Sequence, residues 1–210
     1  MSDMPTTEEG ASPTRPSSGQ QLGLRGSMWS IHHALATMPH LRADTLEGRL
    51  TLLEEEAAVR DVLARYTYFY DGADLDGVMS VFHDDCVLIN PRGTYVGKEA
   101  IRRNYAFLIS LSKVVLHFAT NVMVRLLGNT DAWMTAYYYG VAVAGDGTLN
   151  GTGGTYIDHL IKRDGSWKIV ERRISYNFRH RLERQPFSGS PPEPTRGESS
   201  RDIIGPAFEM

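Results

Sequence analysis

Three ionisable residues of different types could combine to move a proton: Asp71, His117 and Arg172. Histidine is the side chain best suited to proton transfer near neutral pH. A carboxylate bonded to one ring nitrogen fixes the tautomer and raises the basicity of the other nitrogen. With no serine or cysteine nucleophile in reach, such a pair is a general base, and an arginine beside it can stabilise developing negative charge. The three residues predict proton abstraction, provided the fold brings them together.

Other polar side chains could assist these three. Tyr66 is a candidate for a catalytic hydrogen-bond donor. Candidates for contacts with a substrate are residues whose phenol, amide or carboxylate could face the same space: Tyr70, Asn121, Tyr139, Tyr156 and Asp158. Each also has a structural interpretation, since strand histidines are commonly hydrogen-bonded within the fold and tyrosines commonly pack in a core.

The hairpin that must carry Arg172 is the clearest local signal in the chain. Two runs rich in β-branched and aromatic residues flank the turn Asp164-Gly165, which is typical of a β-hairpin. A two-residue loop would set Asp158 opposite Glu171, a repulsive pair. A three-residue loop with a bulge at Gly165 sets Asp158 opposite Arg172 and Leu160 opposite Val170, and we favour this register. The shared face of Asp158 and Arg172 is either a pocket wall or a buried ion pair.

The residue Asp71 ends the strongest helical pattern, predicted from Asp44 to Asp71. Val59, Leu63, Tyr66 and Tyr70 recur at spacings of three and four, which is typical of an amphipathic helix. The helix should stop near Gly72, where its dipole disfavours a carboxylate. Asp71 therefore needs a partner from elsewhere or has a functional role.

The elements that follow are predicted to be a short helix at 74–82, strands at 86–90 and 93–97, and a helix at 98–111. A strand at 114–127 would then place His117, Asn121 and Met123 on one face and Val122 and Val124 on the other. Strands at 132–144 and in the last hairpin complete an antiparallel meander. Helices followed by a meander indicate an α+β fold in which the long helix covers one sheet face and leaves a concavity.

The composition excludes several classes of protein and of site. A net charge of −3 with interspersed signs does not favour a nucleic-acid or membrane-surface protein. The single cysteine, Cys86, excludes a disulfide framework and a cysteine-based zinc site. No apolar run is long enough for a membrane span, and no secretory signal is evident. We expect a cytoplasmic protein with no metal ion.

Three regions are predicted along the 210 residues. Residues 1–43 should be a disordered arm with a short helix from Ser27, whose adjacent histidines His32 and His33 face solvent or a partner rather than a metal. Residues 44–178 should form the domain. Residues 179–210 read as a tail whose apolar end, 202–210, could pack on a neighbouring subunit.

Four stretches in consistent order carry a family resemblance: YFYDGADLDGVMSVFHDDC, GTYVG, LHFATN and GGTYIDHLIKRDGSWKIVERR. Over residues 50–178 they resemble the SnoaL-like branch of the nuclear transport factor 2-like (NTF2-like) superfamily. The resemblance implies a cone-shaped α+β barrel, with a curved antiparallel sheet wrapped by helices around a pocket. It also implies a homo-oligomer, either a dimer or a trimer.

The resemblance further implies a lyase that needs no cofactor and uses an Asp–His dyad as base. The family aspartate falls on Asp71 and the histidine on His117. The basic residue of the family's dehydrochlorinases falls on Arg172, but their lysine falls on Tyr66, which argues against dechlorination and leaves a hydroxyl leaving group. The second histidine of some dehydratases falls near Gly140, where this chain has none.

The function expected from these residues is a dehydratase-type elimination on a small, apolar, ring-bearing substrate. An isomerase or cyclase of polyketide or steroid type is one alternative, in which the proton returns and nothing leaves. A non-catalytic binding or assembly subunit is another, because the same fold serves unrelated functions.

Overall fold

A curved six-stranded sheet forms the body of the chain, and the computed structural model describes residues 24–182. The strands are β1 (Phe82–Asn90), β2 (Gly93–Val96), β3 (Ser112–Leu126), β4 (Asp131–Ala144), β5 (Leu149–Arg163) and β6 (Ser166–Arg181). The helices are α1 (Leu24–Thr37), α2 (Leu46–Asp71), α3 (Leu75–Ser80) and α4 (Lys98–Ser110). The predictions for residues 1–23 and 183–210 lie outside the described residues.

The sheet order is β2-β1-β6-β5-β4-β3, so β2 and β3 are its edges and the sheet does not close. The predicted antiparallel meander of four long strands is confirmed. Only β1 and β6 pair in parallel among the described strands. The α+β class and the cone shape of the NTF2-like fold are therefore confirmed. The last strand runs to Arg181, past the predicted domain end at Phe178.

The helix α2 covers one face of this sheet, which we call the inner face. Thr45 caps its first turn by accepting a hydrogen bond from Gly48 N at 3.1 Å. Val59, Leu63 and Tyr66 are buried against the sheet, as the spacing predicts. The helix ends at Asp71, where the Gly72 N–H bonds back to Tyr68 O at 2.9 Å. The predicted position of Asp71 at the carboxyl end is confirmed.

The register of the last hairpin is as predicted at Asp158, which lies opposite Arg172, but the predicted loop is wrong. Arg163 pairs directly with Ser166, leaving a two-residue turn in which Asp164 and Gly165 have φ of 49° and 75°. These angles fit a tight turn whose twist matches that of the strands. The bulge lies instead within β6, at Val170, which has no partner on β5. His159 pairs with Glu171 and Leu160 pairs with Ile169, so the predicted pairing of Leu160 with Val170 is wrong.

The strand β3 also contains a bulge, and this overturns part of the predicted face. Pairing with β4 shifts between Thr120 and Met123, so two residues oppose one. His117 stays on the inner face, but Val122 and Val124 now pack towards the core, where Asn121 and Met123 were predicted. Asn121 is exposed with φ of 53°.

The helix α1 lies on the opposite, outer face of the sheet. It begins at Leu24, so Ser27 lies inside it and is not the predicted cap. His32 Nδ1 is 2.9 Å from the Thr135 hydroxyl, so His32 contacts the sheet and the predicted solvent-facing role is wrong for it. His33 is exposed, as predicted. No described helix is long and apolar enough to span a membrane.

Candidate active site

The side chains of Asp71 and His117 meet where the end of α2 crosses β3. Asp71 Oδ1 is 2.5 Å from His117 Nδ1, and Oδ2 accepts a hydrogen bond from the His117 backbone N–H at 2.8 Å. The two side chains are 17% and 10% exposed, respectively. The predicted contact between them is confirmed. It supplies the partner that a carboxylate at a helix carboxyl end requires.

This contact fixes the orientation of the imidazole. When Nδ1 donates its proton to Asp71, Nε2 keeps a free lone pair and is the basic nitrogen. No hydrogen bond from Nε2 to another group is formed within residues 24–182. Gly140 lies across β4 from the ring, and a Cβ there would be 3.8 Å from Nε2. The absence of a side chain at Gly140 leaves space beside the basic nitrogen.

Aromatic rings surround the imidazole on its inner side. The Tyr70 ring stands edge-on to it, with centroids 4.9 Å apart and planes at 82°. Tyr66 and Tyr138 follow at 6.4 and 6.3 Å. Burial raises the pKa of Tyr70, Tyr66 and Tyr138 above the ordinary phenol value. These phenols therefore stay neutral at working pH and can donate hydrogen bonds.

The residues Arg172 and Asp158 form a fully buried ion pair one layer deeper. Arg172 Nε and Nη2 donate to the two carboxylate oxygens of Asp158, both at 2.7 Å. The Arg172 guanidinium carbon lies 3.9 Å from the Tyr66 ring centroid and 4.9 Å from that of Tyr156. Burial opposes the charge, but Asp158 offsets it and holds the pKa of Arg172 above its usual value.

Of the two interpretations predicted for this pair, the structure shows the buried ion pair. The side chains of Arg172 and Asp158 are 0% and 1% exposed, and Tyr156 is also buried. In this arrangement none of the three reaches the surface. Arg172 contacts the Tyr66 ring, which in turn lies 6.4 Å from the His117 ring. Its charge can therefore act on the site through Tyr66. Direct contact of Tyr156 and Asp158 with a substrate stays a prediction.

Two of the predicted substrate contacts are not brought to His117. Asn121 is exposed because the β3 bulge turns its side chain away from the inner face. Tyr139 lies on the outer face, where its hydroxyl is 3.3 Å from His180 Nε2. The inner position belongs to its neighbour Tyr138, which stacks on Tyr156 with centroids 4.5 Å apart.

The position of Tyr138 was missed although the sequence holds a signal for it. Ala132, Met134 and Ala136 alternate as apolar residues and all three are buried. Tyr138 continues this alternation, whereas Tyr139 does not. Gly140 lies directly opposite His117, a contact that the family resemblance does not indicate.

Two of the cavities formed by residues 24–182 lie away from the Asp71–His117 pair. One of about 410 Å³ lies on the outer face and includes Phe118, Tyr137, Tyr139 and Phe178 in its lining. The other, of about 360 Å³, lies between the β1–β2 turn and α4. Neither is lined by Asp71 or His117. Within the described part of the chain, the Tyr70 ring is the aromatic ring closest to the imidazole.

The described residues contain no group of three or more histidine, cysteine, aspartate or glutamate side chains that could hold a metal ion. The aromatic surroundings of His117 match the chemistry of an organic substrate better than that of an ion.

Comparisons with known proteins agree with this outline. A family model described as the SnoaL-like domain matches residues 51–173. No curated protein sequence matches the chain. Among solved structures, a candidate scytalone dehydratase from Novosphingobium aromaticivorans has a TM-score of 0.60 at 18% identity, over 67% of this chain and 98% of that one.

Two dehydrochlorinase structures are also similar to this chain. A type 2 hexachlorocyclohexane dehydrochlorinase has a TM-score of 0.60 at 19% identity, over 69% of this chain and 99% of that one. A type 3 hexachlorocyclohexane dehydrochlorinase from Novosphingobium barchaimii has a TM-score of 0.57 at 19% identity, with the same coverage. Likeness at this level of identity shows a shared fold.

Proposed function

Because the chain belongs to the SnoaL-like domain family, we propose that it is a cofactor-independent lyase that eliminates water from a small, apolar, ring-bearing substrate. The observation that carries the proposal is the pair of contacts from Asp71 to His117, which leaves Nε2 as the basic atom. The dehydratase and dehydrochlorinase structures of the same fold support an elimination over other reactions.

In the proposed reaction, His117 Nε2 takes a proton from a substrate carbon. The Asp71 carboxylate stabilises the imidazolium that forms. The electron pair of the broken C–H bond forms the new double bond, and hydroxide leaves from the adjacent carbon. A proton delivered to the leaving oxygen completes the loss of water. When the His117 imidazolium donates this proton to the leaving oxygen, His117 is again a neutral imidazole at the end of the reaction.

The tyrosines and Arg172 would stabilise the charge that develops on the substrate oxygen. Tyr70 is the phenol nearest to the imidazole, and Tyr66 lies behind it. The Arg172 charge favours the ionised form of Tyr66 even though burial raises the pKa of this phenol. A phenol beside a buried cation is a stronger hydrogen-bond donor, so Arg172 would act through Tyr66.

The test is turnover of a panel of hydroxylated polycyclic ketones by wild-type protein and by His117→Ala and Asp71→Asn. Loss of the general base should reduce kcat by about 10²- to 10⁴-fold, while the melting temperature stays close to that of wild type. His33→Ala is the matched control, because His33 is an exposed histidine on α1. Unchanged turnover in both site variants would refute the dyad.

Product mass separates the proposed elimination from isomerisation or cyclisation. An elimination product is lighter than the substrate by one molecule of water, whereas an isomer has the mass of the substrate. A product of unchanged mass that still requires His117 would keep the base and exclude the lyase reaction.

Association with further copies of the chain is favoured by one observation, the exposed aromatic surface on the outer face. Phe118, Tyr137 and Phe178 are between 41% and 56% exposed there, which is typical of a surface that contacts another protein. A homo-oligomer, dimer or trimer, is proposed on this ground. Light scattering of the full chain measures its mass in solution, and a monomer at micromolar concentration would contradict this proposal.

A further inference from the structure

The cavity between α4 and the turn that joins β1 to β2 combines charged and aromatic side chains. Its volume is about 360 Å³, which is enough for a small organic group. Its lining consists of Arg92, Tyr95, Ala100, Arg103, Asn104 and Phe107. We call it the α4 groove. None of these residues has a place in the proposed proton transfer.

The α4 groove carries two positive charges that no carboxylate neutralises. Neither Arg92 nor Arg103 forms an ion pair within the described part of the chain. The adjacent Arg102 behaves differently, since its guanidinium contacts Asp76 at 2.6 Å. The Arg92 guanidinium carbon instead lies 4.7 Å from the Phe107 ring centroid. That cation–π contact positions the charge without cancelling it.

The amide group in the lining belongs to a side chain that is almost fully buried. Asn104 is 5% exposed, and its Nδ2 has no hydrogen-bond acceptor among the described residues. A buried amide donor without an acceptor costs free energy. A rotation of this side chain towards the α4 groove would let a bound oxygen accept from it. Two arginines and an amide donor together are a donor set suited to an oxyanion.

The α4 groove is joined to the candidate active site through aromatic side chains. Tyr105, the residue after Asn104, packs against Tyr66 and Tyr70 at centroid distances of 5.8 and 5.9 Å. Tyr176 on β6 is a second aromatic residue between the α4 groove and the candidate active site. Burial raises the pKa of Tyr176, and the nearby Arg92 charge opposes that rise.

Tyr176 also influences the phenols around His117. Its own negative charge, when ionised, would raise the pKa of Tyr70 and of Tyr138 further. Pairing with β5 is regular from Arg172 to Tyr176, which puts Tyr176 on the same inner face as Arg172. The parallel pairing with β1 ends at Ile89 and Arg173, so Tyr176 lies beyond that end, towards the β1–β2 turn that contains Arg92. One elongated ligand could contact both ends of this aromatic path.

We propose that the α4 groove binds the oxyanion, a carboxylate or a phosphate, of a substrate whose apolar body extends past Tyr176 to His117. Arg92 and Arg103 hold the anion, and Phe107 and Tyr95 contact the apolar part next to it. The extension to His117 rests on the proposed function. The anion site does not, because its residues are separate from the dyad.

The experiment is calorimetric titration of the full chain with phenyl phosphate, benzoate and inorganic phosphate. Phenyl phosphate or benzoate should bind, and raised salt should weaken the binding. The double variant Arg92→Gln/Arg103→Gln should bind at least about tenfold more weakly. Arg49→Gln is the matched control, because Arg49 is an exposed arginine on α2, and its affinity should equal that of wild type.

The relative affinities of the probes identify the anion. Tighter binding of phenyl phosphate indicates a phosphate ligand, and tighter binding of benzoate indicates a carboxylate. Inorganic phosphate measures what the aromatic wall contributes. Asn104→Ala should weaken the preferred probe without reversing the order of the probes.

Two results would overturn the anion site: no binding of any probe, or equal binding by wild type and the double arginine variant. The same titration with His117→Ala separates this site from the dyad. Retained binding there, with turnover lost, supports both proposals. Retained binding with turnover unchanged leaves the anion site and removes the proposed base. Binding lost in His117→Ala alone places the anion at the dyad and refutes the α4 groove.

Discussion

At the scale of single residues, Asp71 is held in place by one neighbour. The end of α2 disfavours a carboxylate, yet Asp71 accepts from both the ring and the backbone of His117. The imidazole in turn has only Gly140 opposite it on β4. The absence of a side chain at Gly140 keeps the space beside Nε2 open.

Gly140→Val tests whether that space is used. A Cβ at this position would be 3.7 Å from His117 Cδ2, and the γ-methyl groups of valine would come closer still. We expect kcat for the hydroxylated ketone that wild-type protein converts to fall by about 10²-fold, because a small displacement of the reacting groups slows the reaction strongly. Gly145→Val is the control, since a Cβ there meets nothing within 4 Å. Equal turnover by the two variants would contradict a role for the space at Gly140.

The contact between Asp71 and His117 is predictable from the sequence because each position has an independent signal. Asp71 ends a clear helical period, and the family resemblance predicts a histidine at the position of His117. Tyr139 is misplaced although the apolar alternation from Ala132 to Ala136 continues to its neighbour Tyr138. Asn121 is misplaced for a different reason: alternation places side chains only relative to a known register. A single inserted residue in β3 moves the side chains that follow it to the opposite face of the sheet. The residue types near Asn121 do not predict this bulge.

At the scale of elements, α2 is fixed to the β5–β6 hairpin by Glu55. Its carboxylate accepts hydrogen bonds from Lys162 Nζ and, at 2.6 Å, from Trp167 Nε1. Burial would raise the pKa of Glu55, but these two donors and the Lys162 charge hold it below its ordinary value of 4.5. The hairpin turn is evident in the sequence. This contact across more than one hundred residues is not, since many glutamates of α2 look alike.

Glu55→Gln should lower the free energy of unfolding at neutral pH by about 1 kcal/mol, because the bonds to charged partners are lost. A depressed pKa in the folded state stabilises the fold above pH 4.5, and the gain disappears as the pH falls through the folded value. The variant should therefore lose less stability than wild type on acidification. Urea unfolding of both proteins between pH 3 and pH 7 measures the free energy of unfolding at each pH.

Glu54→Gln serves as the comparison for that titration. Glu54 is the preceding residue and is exposed, so its substitution should leave the pH dependence as in wild type. A Glu55→Gln curve that runs parallel to the wild-type curve would contradict the role of this carboxylate.

At the scale of the whole molecule, the Asp158–Arg172 pair lies where the sheet meets α2. It joins β5 to β6, and Arg172 packs on the Tyr66 ring of α2 and at 5.6 Å from the Phe82 ring of β1. Four elements thus surround one buried charge. The sequence predicts the pairing from the hairpin register, but the depth of burial depends on rings contributed by distant parts of the chain.

Asp158→Asn should destabilise the protein by about 3–5 kcal/mol, because it leaves the Arg172 guanidinium buried without its counter-ion. The double variant Asp158→Leu/Arg172→Met should recover much of this loss, since it removes the charge and keeps the volume. Chemical denaturation at neutral pH compares the two. A single variant as stable as wild type would show that the charge is not isolated in the folded state.

The hydrogen bond from the His117 backbone to Asp71 also protects the β3 edge of the sheet against pairing with a strand of another molecule. β3 is the 15-residue margin of the sheet, and its outward peptide groups are a template for a foreign strand. The Asp71 carboxylate occupies one of those donors, and the irregular step at Asn121 breaks the row again a few residues later. The opposite margin, β2, is only four residues long. The group that orients the imidazole thus also blocks fibril-like stacking along this margin.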